Sequence, residues 1–316
     1  MPQTTLQRGR LAEHPLWGRA LRADELAARL VLPVIVSASV EDRERVEGAG
    51  ALERLSITEL VREARRASQQ GLAGLLIFGA TDRKDETALL ASERDHVVPR
   101  AIRAVKQAVP DLAVATDVCV CAYTSHGQCV LFGNGGADVS GTLERLQEIA
   151  IRHAEAGADL IIPSGMLDGT AGILRQALRA EHPDVPVAAM AKLESALYTA
   201  HRVAVGAVPI AERAVPLLST ESEGAARARV RRDLADGADA VVVKPGLPAL
   251  DLVHVLALST DRPVISFHTA DEHLAFAAAA DTIDAAGAER EAIAASRRAG
   301  ASLVISYGPW SVTEAT

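Results

Sequence analysis

The sequence predicts an α/β protein that folds as a (β/α)8 barrel, the TIM-barrel fold, with a short N-terminal arm. Short runs rich in Val, Ile, Leu and Ala alternate along the chain with segments whose apolar residues recur at helical spacing. The runs are continuously apolar rather than alternating, which is typical of parallel strands buried on both faces. Eight strand-then-helix units in this order favour a closed barrel.

The predicted strands follow one another through the whole chain. They cover residues 31–37, 74–79, 113–119, 160–164, 187–192, 240–244, 264–268 and 303–307. The clearest helical segments between them cover residues 56–70, 141–156, 223–235 and 289–299. Four helices end in a glycine that leads directly into the next strand, at Gly71, Gly157, Gly237 and Gly300. Glycine readily takes the left-handed conformation that ends a helix, so each one predicts a helix-to-strand turn.

An open doubly wound sheet is the alternative fold. It would place a glycine-rich phosphate loop after an early strand, and no G-x-G-x-x-G pattern stands there. We therefore expect an N-terminal arm over residues 1–30, able to pack on a neighbouring subunit, and one catalytic barrel domain over residues 31–316. Residues 205–224 contain glycines, prolines and serines, and they predict a long loop over the barrel mouth.

The composition excludes several classes of partner. A net charge of −8 and an aromatic content of 3% argue against nucleic acid, which requires a basic face and stacking rings. Residues 1–17 lack the apolar core of a secretory signal, and no apolar stretch approaches the length of a membrane span. Three cysteines, an odd number, suit a reducing compartment. We expect a cytoplasmic protein without nucleic-acid or membrane partners.

All three cysteines lie within eleven residues, at positions 119, 121 and 129. Cys119 and Cys121 end the third predicted strand, where residues two apart face the same side, and Cys129 follows in the adjoining loop. Three soft ligands without a fourth nearby indicate a Zn²⁺ site with one position open for water or substrate. The alternatives are buried thiols or a Cys119–Cys121 disulfide, although two same-face strand positions fit disulfide geometry poorly.

Lysine is rare, and two of the lysines end predicted strands. The chain has 33 Lys and Arg residues, and only four of them are lysines. Lys192 and Lys244 each close an apolar strand, and strand ends of a barrel point into the active site. Burial and a neighbouring ammonium group lower a lysine pKa, and the free amine can then form a Schiff base with a ketone. Alternatively, each lysine pairs with a carboxylate such as Asp117 or Glu194, or binds phosphate.

These residues together resemble one enzyme family. The segment TDVCVCAYTSHGQC, residues 116–129, resembles the zinc loop of the porphobilinogen synthases, the 5-aminolevulinate dehydratases of tetrapyrrole synthesis. The Lys-Pro motif VKPGLP at residues 243–248 is similar to that family's Schiff-base motif. Further similar stretches are residues 77–79, 84–86, 97–106, 153–159 and 163–169. The resemblance runs in order from about residue 55 to residue 307.

The resemblance implies a reaction and a role for each strand-end residue. Two 5-aminolevulinate molecules would condense asymmetrically to a pyrrole with loss of two waters. Lys244 would hold the first molecule as a Schiff base, and Lys192 would act on the second. Zinc, with its water, would assist as a Lewis acid and a source of base. Asp117 and Ser164 would position groups and carry protons.

The resemblance also implies the substrate contacts and the assembly. Tyr307 matches a residue that holds the carboxylate of the first substrate molecule. Arg202, in the motif that begins at Tyr198, matches an arginine that binds the second carboxylate, and Arg213 matches another. Tyr198 is expected to bind substrate as well. Members of the family are usually homo-octamers built from dimers, so we expect a homo-oligomer with a small aminoketone as its substrate.

Several positions depart from the family pattern. The family's carboxylate-binding serine falls on Ala270, followed by Asp271, and two loop positions fall on Ala214 and Leu217. Further departures are Ala122, Gly165, Thr170 and Arg229.

Three interpretations of the function therefore stay open. They are porphobilinogen synthase itself, a related condensing enzyme for a different aminoketone, and a non-catalytic zinc- or ligand-binding homologue. A class I aldolase barrel also uses a strand-end lysine, but it requires neither the second lysine nor the cysteines.

Overall fold

The computed structural model describes residues 9–314, which form a barrel of eight parallel strands. The barrel strands are β1 (Leu30–Ser37), β2 (Gly74–Ala80), β3 (Ala113–Val118), β4 (Leu160–Pro163), β5 (Ala188–Lys192), β6 (Ala240–Lys244), β7 (Val264–Phe267) and β8 (Leu303–Ile305). Strands adjacent in the chain pair in parallel, and β8 pairs with β1. Between β4 and β5 the ring is completed by one bridge, from Ile161 to Val187. The predicted barrel is confirmed.

Helices surround the barrel. They are α1 (Arg10–Glu13), α2 (Pro15–Arg22), α3 (Ile57–Gln69), α4 (Val97–Ala108), α5 (Val139–Glu155), α6 (Thr170–Leu178), α7 (Thr199–Val205), α8 (Glu223–Ala235), α9 (Leu250–Ser259), α10 (Ala270–Ala278), α11 (Ala285–Ala299) and α12 (Trp310–Thr313). Short 3-10 turns cover Ala27–Arg29, Leu89–Ser92 and Leu247–Ala249. No helix of the described part is long and apolar enough to cross a bilayer.

The helix ends follow from the sequence. The four glycines predicted to end helices have φ angles of +74° at Gly71, +101° at Gly157, +104° at Gly237 and +116° at Gly300. These angles are left-handed, as expected, and residues with a side chain adopt them only under strain. Each glycine leads into the strand that follows, so the chain reverses direction within a few residues.

Two small antiparallel pairs add to the barrel, and the sequence reading did not include them. Arg43–Arg45 pairs with Glu53–Leu55, which also continues beside β1. Leu131–Gly133 pairs with Gly136–Asp138 in a hairpin that leads into α5. Each strand has only three residues. A periodicity of two over three residues carries too little signal to predict a strand.

The described part of the N-terminal arm lies across the base of its own barrel. Trp17 of α2 is fully buried, and its Nε1 donates to the backbone oxygen of Asp159 at 2.9 Å. Arg10 forms an ion pair with Asp239 at 3.0 Å. Asp159 directly precedes β4, and Asp239 directly precedes β6. The arm therefore closes the end of the barrel at which the strands begin. Residues 1–8 lie outside the described residues, and contact with a neighbouring subunit remains a prediction.

Candidate active site

The carboxyl ends of the barrel strands surround a cavity, and most of the predicted site residues line it. They are Asp117, Cys121, Cys129, Ser164, Lys192, Tyr198, Arg202, Arg213 and Lys244. Cys119 directly contacts Cys121, and Tyr307 is joined to the cavity wall through a hydrogen bond to His201. Residues separated by almost 200 positions in the chain therefore meet in one place.

Lys192 and Lys244 lie side by side at the floor of the cavity. They are register partners on the neighbouring strands β5 and β6. The Lys244 Nζ is buried and lies 4.0 Å from the centre of the Phe267 ring and 5.4 Å from that of Tyr198. Burial, followed by the positive charge of Lys192, lowers the pKa of Lys244 to about 7 against the opposing charges of Asp117 and Glu272. A substantial fraction of Lys244 is therefore a free amine at neutral pH.

The backbone around Lys244 is fixed by the buried carboxylate of Glu272. This carboxylate accepts hydrogen bonds from the backbone N–H of Leu247 at 2.7 Å, of Gly246 at 3.2 Å and of Thr269 at 2.6 Å. A Cβ at Gly246 would overlap the ring of His268, so only glycine fits there. Glu272 thus joins the turn after β6 to the start of α10, and the sequence reading did not identify it.

Tyr198 connects the two lysine-bearing strands. Its hydroxyl donates to the backbone oxygen of Leu193 at 2.8 Å and lies 3.1 Å from that of Lys244. The ring centre lies 5.2 Å from the Lys192 Nζ and 5.2 Å from the Arg202 guanidinium carbon. An aromatic face attracts cations, so Tyr198 holds the cationic side chains of the cavity around one ring.

Asp117 and Ser164 form a polar pair beside the lysines. Burial raises the pKa of Asp117 to about 6, while a hydrogen bond with the Ser164 side chain and the charges of Lys192 and Lys244 oppose the rise. A carboxyl group with this pKa exchanges protons readily near neutral pH. The pair is therefore able to accept and return a proton at the cavity wall.

The three cysteines form a compact cluster at the cavity edge. Their Sγ atoms lie within 4.8 Å of one another, and the Cys119 and Cys121 sulfurs are 3.2 Å apart. Two thiolates that bind one zinc ion at about 2.3 Å lie at most about 4.6 Å apart, so the cluster is close to the size of such a site. Hydrogen bonds from Cys119 and Cys121, with the nearby charges of Lys192 and Arg202, lower the pKa of the Cys129 thiol well below its usual range. The cluster could therefore hold a metal ion.

A loop after α7 covers the cavity, as the sequence predicted. We call residues 206–218 the lid, and several of them line the cavity, including Arg213. The lid is held in place by Gln128. The Gln128 Nε2 donates to the backbone oxygen of Glu212 at 2.8 Å, and its Oε1 accepts from the N–H of Ala214 at 3.2 Å. The buried amide therefore fixes the residues on both sides of Arg213 from the loop that ends in Cys129.

Comparison with known proteins identifies the family. The family described as Delta-aminolevulinic acid dehydratase matches residues 6–315. The chain belongs to this family. It is 35% identical over 282 residues to the delta-aminolevulinic acid dehydratase of Escherichia coli (strain K12), covering 88% of this chain and 87% of that protein. It is 34% identical over 319 residues to the enzyme of the same name from Macaca fascicularis, covering 97% and 96%.

A solved structure agrees with this membership. It is the delta-aminolevulinic acid dehydratase (porphobilinogen synthase) from Toxoplasma gondii ME49 in complex with the reaction product porphobilinogen. The two folds superpose with a TM-score of 0.87 at 27% identity, covering 97% of this chain and 90% of that one. The family predicted from the zinc loop and the Lys-Pro motif is confirmed.

Within the dehydratase fold, the departure at position 271 has a structural explanation. Ala270 is fully buried at the first turn of α10. The Asp271 carboxylate accepts hydrogen bonds from the backbone N–H of Thr199 at 3.1 Å and of Ala200 at 3.2 Å. Asp271 therefore caps the amino end of α7, where a negative charge is favourable.

His201 is another cavity residue that the sequence analysis did not identify. It follows Ala200 on α7, and its Nδ1 lies 2.9 Å from the Tyr307 hydroxyl. Its ring packs edge-on against Phe78, with ring centres 4.5 Å apart. A lone histidine beside an arginine carries no distinguishing pattern in the sequence, so only the fold shows that it faces the cavity.

Arg229 occupies a buried position behind the loop after β4. Its Nε lies 2.7 Å from the Asp233 Oδ2, and its guanidinium nitrogens donate to the backbone oxygens of Met166 at 3.0 Å and Leu167 at 2.9 Å. Met166 lines the cavity. Arg229 therefore supports the cavity wall from outside the site.

Proposed function

We propose that this protein condenses two aminoketone molecules to a pyrrole through a Schiff base on Lys244, with 5-aminolevulinate as the substrate for which its relatives are named. The observation that carries the proposal is the pair of adjacent strand-end lysines, of which Lys244 is buried and has a pKa of about 7. A free amine at neutral pH is the form that attacks a ketone. The reaction class is that of a hydro-lyase.

The chemistry at Lys244 begins with attack of its Nζ on the ketone carbon of the first molecule. The C=O bond breaks, a C=N bond forms, and the oxygen leaves as water with two protons. Asp117, beside Ser164, is suited to hold and return a proton during this exchange, because its pKa is about 6. The second molecule supplies the other ring-forming carbonyl. One C–C bond and one C–N bond form between the two molecules, the bond from Lys244 to the first molecule breaks to return the free amine, and two waters leave overall.

The cationic side chains at the cavity edge are suited to orient the second molecule. Arg202 and Arg213 line the cavity together with Lys192. Arginine binds a carboxylate through two parallel hydrogen bonds, which fixes orientation as well as position. The lid that carries Arg213 also excludes water from the amine and the ketone. The loss of water that accompanies Schiff-base formation is favoured in such an enclosed site.

We assign the metal position to Cys119, Cys121 and Cys129, and zinc is the ion that three thiolates with an open fourth position favour. When bound there, zinc would polarise a carbonyl oxygen and lower the pKa of a bound water. Lys192 and Arg202 lie near this cluster, and their charges help to lower the pKa of the Cys129 thiol, which favours the thiolate that a metal would require. A cytoplasmic location and a homo-oligomeric state are part of the same proposal.

The test is pyrrole formation from 5-aminolevulinate by zinc-loaded protein. Lys244→Arg should abolish turnover because the guanidinium is not nucleophilic, while Arg62→Lys, on the exposed face of α3, should leave it unchanged. Pyrrole formation that survives in Lys244→Arg would refute the proposal. Borohydride trapping tests the alternative in which the protein only binds zinc or a ligand. A ketone trapped on Lys244 indicates Schiff-base chemistry, whereas a protein that only binds would give no adduct.

A second candidate is the same condensation with a different aminoketone. The specific observation in its favour is Ala270, which is buried and offers no hydroxyl where the resemblance places a carboxylate-binding serine. This candidate predicts Schiff-base formation with 5-aminolevulinate but no pyrrole, whereas the first candidate predicts both. Pyrrole formation with a turnover typical of enzymes would refute the second candidate.

A further inference from the structure

The short helix α7 carries several of the side chains that line the cavity. Tyr198 directly precedes it, and His201, Arg202 and Val205 lie within it. The helix has only seven residues, and Tyr198 at its start provides no side-chain hydrogen bond to it. Isolated helices this short are unstable in water. The position of Arg202 therefore depends on groups from other parts of the chain that hold the two ends of α7.

The two ends of α7 are held by side chains of opposite charge type. At the amino end, the Asp271 carboxylate accepts hydrogen bonds from two backbone N–H groups. At the carboxyl end, the Arg54 Nε donates to the backbone oxygen of Ala204 at 2.8 Å, and the Lys84 Nζ donates to that of Gly206. An acid at the amino end and bases at the carboxyl end are the arrangement that the helix dipole favours.

The Lys84 contact reaches Arg202 through the turn that ends α7. Gly206 has a φ of +67°, the left-handed conformation typical of a helix end. In this turn the backbone oxygen of Arg202 accepts from the N–H of Ala207 at 2.7 Å, and that of Val203 accepts from the N–H of Gly206 at 3.0 Å. Lys84 therefore holds the backbone at the point where α7 ends and the lid begins.

Lys84 is itself fixed by the loop that carries the cysteines. The backbone N–H of the neighbouring Asp85 donates to the oxygen of Tyr123 at 3.1 Å, and Asp85 forms a β-bridge with Thr124. Both partners directly follow Cys121 in the chain. Burial lowers the pKa of Lys84, and a negative charge on Cys121 opposes this lowering. Lys84 therefore connects the cysteine loop to the start of the lid.

The other lysines show that this contact is distinct from the reacting groups. Lys192 and Lys244 line the cavity, and Lys106 pairs with Asp159 at the base of the barrel at 2.8 Å. Lys84 is not among the described residues that line the cavity. Its contact with α7 is its route to the substrate, so its role is to position other side chains rather than to react.

From these contacts we propose that Lys84, together with Arg54, positions Arg202 for the carboxylate of the second substrate molecule. The inference rests on the proposed function, in which Arg202 orients that molecule. The first molecule reacts at Lys244 on β6, where the backbone is held separately by Glu272. Loss of the Lys84 contact should therefore weaken binding of the second molecule and leave Schiff-base formation with the first unchanged.

The test makes three measurements on zinc-loaded protein. Borohydride trapping with peptide mapping gives the concentration of 5-aminolevulinate that half-saturates Lys244 with the first molecule. Steady-state pyrrole formation gives KM and kcat, which require the second molecule as well. Hydrogen exchange followed by mass spectrometry of the peptide that spans residues 199–207 reports the opening of α7 without any turnover.

In Lys84→Met we expect KM to rise about tenfold, the effect of losing one hydrogen bond to a charged group. Half-saturation of Lys244 and kcat should stay unchanged, and exchange over residues 199–207 should become faster. Arg54→Met should give the same pattern. Lys84→Arg keeps a donor on a long side chain and should keep KM near the wild-type value. Lys106→Met is the matched control, because it removes a lysine at the opposite end of the barrel, and it should leave KM and the exchange of α7 unchanged.

Each outcome separates this inference from the proposed function. If KM stays unchanged in Lys84→Met and Arg54→Met, or changes only as much as the half-saturation of Lys244, the inference is wrong while the Schiff-base chemistry stands. Unchanged exchange over residues 199–207 in both variants would also overturn it. If one variant does not fold by circular dichroism, the other decides. If the wild-type protein forms no pyrrole from 5-aminolevulinate, the proposed function with this substrate is wrong, and the inference fails with it.

Discussion

Replacing Lys192 with methionine should raise the pKa of Lys244. The two side chains start from register partners on β5 and β6, and neighbouring strands lie about 4.8 Å apart. Two ammonium groups about 5–7 Å apart repel each other by about 2–3 kcal/mol at an effective dielectric constant near 20. This corresponds to about two pKa units. The Lys244 pKa should therefore rise from about 7 to about 9 in the variant.

The assay is the pH dependence of ketone trapping on Lys244, followed by peptide mass spectrometry from pH 6 to pH 10. Trapping should be half-maximal near pH 7 in the wild-type protein, since the free amine is the reactive form. Lys192→Arg keeps the positive charge and is the matched control, with a midpoint that stays near the wild-type value. A midpoint that does not move in Lys192→Met, or that moves equally in both variants, would refute the reasoning.

Four further predictions concern stability, the lid and the metal site. The free energy of unfolding of the wild-type protein, measured in urea, should rise by about 4 kcal/mol from pH 7 to pH 10. The reason is that Lys244 loses its proton in the folded protein over this range, while the unfolded lysine keeps it. Lys244→Met should lack this rise. Gln128→Ala should raise KM about tenfold or more by releasing two lid hydrogen bonds, with a smaller rise in Gln128→Glu. Cys129→Ser should lose the zinc that survives dialysis of the wild type, as measured by atomic absorption. Trp17→Phe should lower stability by about 1 kcal/mol and leave kcat unchanged.

Each of these predictions has an outcome that contradicts it. A pH slope retained in Lys244→Met would show that another group controls stability above pH 7. A Gln128→Ala variant with an unchanged KM would show that the amide does not hold the lid in solution. Full zinc retention in Cys129→Ser would remove this thiol from the metal site. A loss of kcat in Trp17→Phe would show that packing at the base of the barrel affects catalysis in the cavity at the opposite end.

Much of the architecture follows from patterns that are local in the sequence. A strand buried on both faces gives a continuous apolar run, and a glycine such as Gly157 is required wherever the chain turns at once from helix to strand. For this reason the eight strands were predicted to within about two residues of their observed ends. The cysteines and the strand-end lysines were also visible, because rare residue types stand at the ends of predicted strands.

The remaining site residues depend on contacts that no local pattern contains. His201 meets Tyr307 across 106 positions of the chain, and Gln128 reaches the lid across 84. Glu272 does carry a signal, since Thr269 three residues earlier completes a capping box. That pattern predicts a helix start, however, and does not show that the same carboxylate also holds the turn after Lys244. The three-residue strands of the two antiparallel pairs were not predicted, because three residues are too few to show a periodicity of two.

Schiff-base catalysis at Lys244 is tested most directly by peptide mass spectrometry of zinc-loaded protein reduced with borohydride in the presence of 5-aminolevulinate. We expect one reduced adduct per chain, on the peptide that contains Lys244, and no such adduct in Lys244→Arg. An adduct on Lys192 alone would reverse the roles of the two lysines. The absence of any adduct on either lysine would contradict Schiff-base catalysis by this protein.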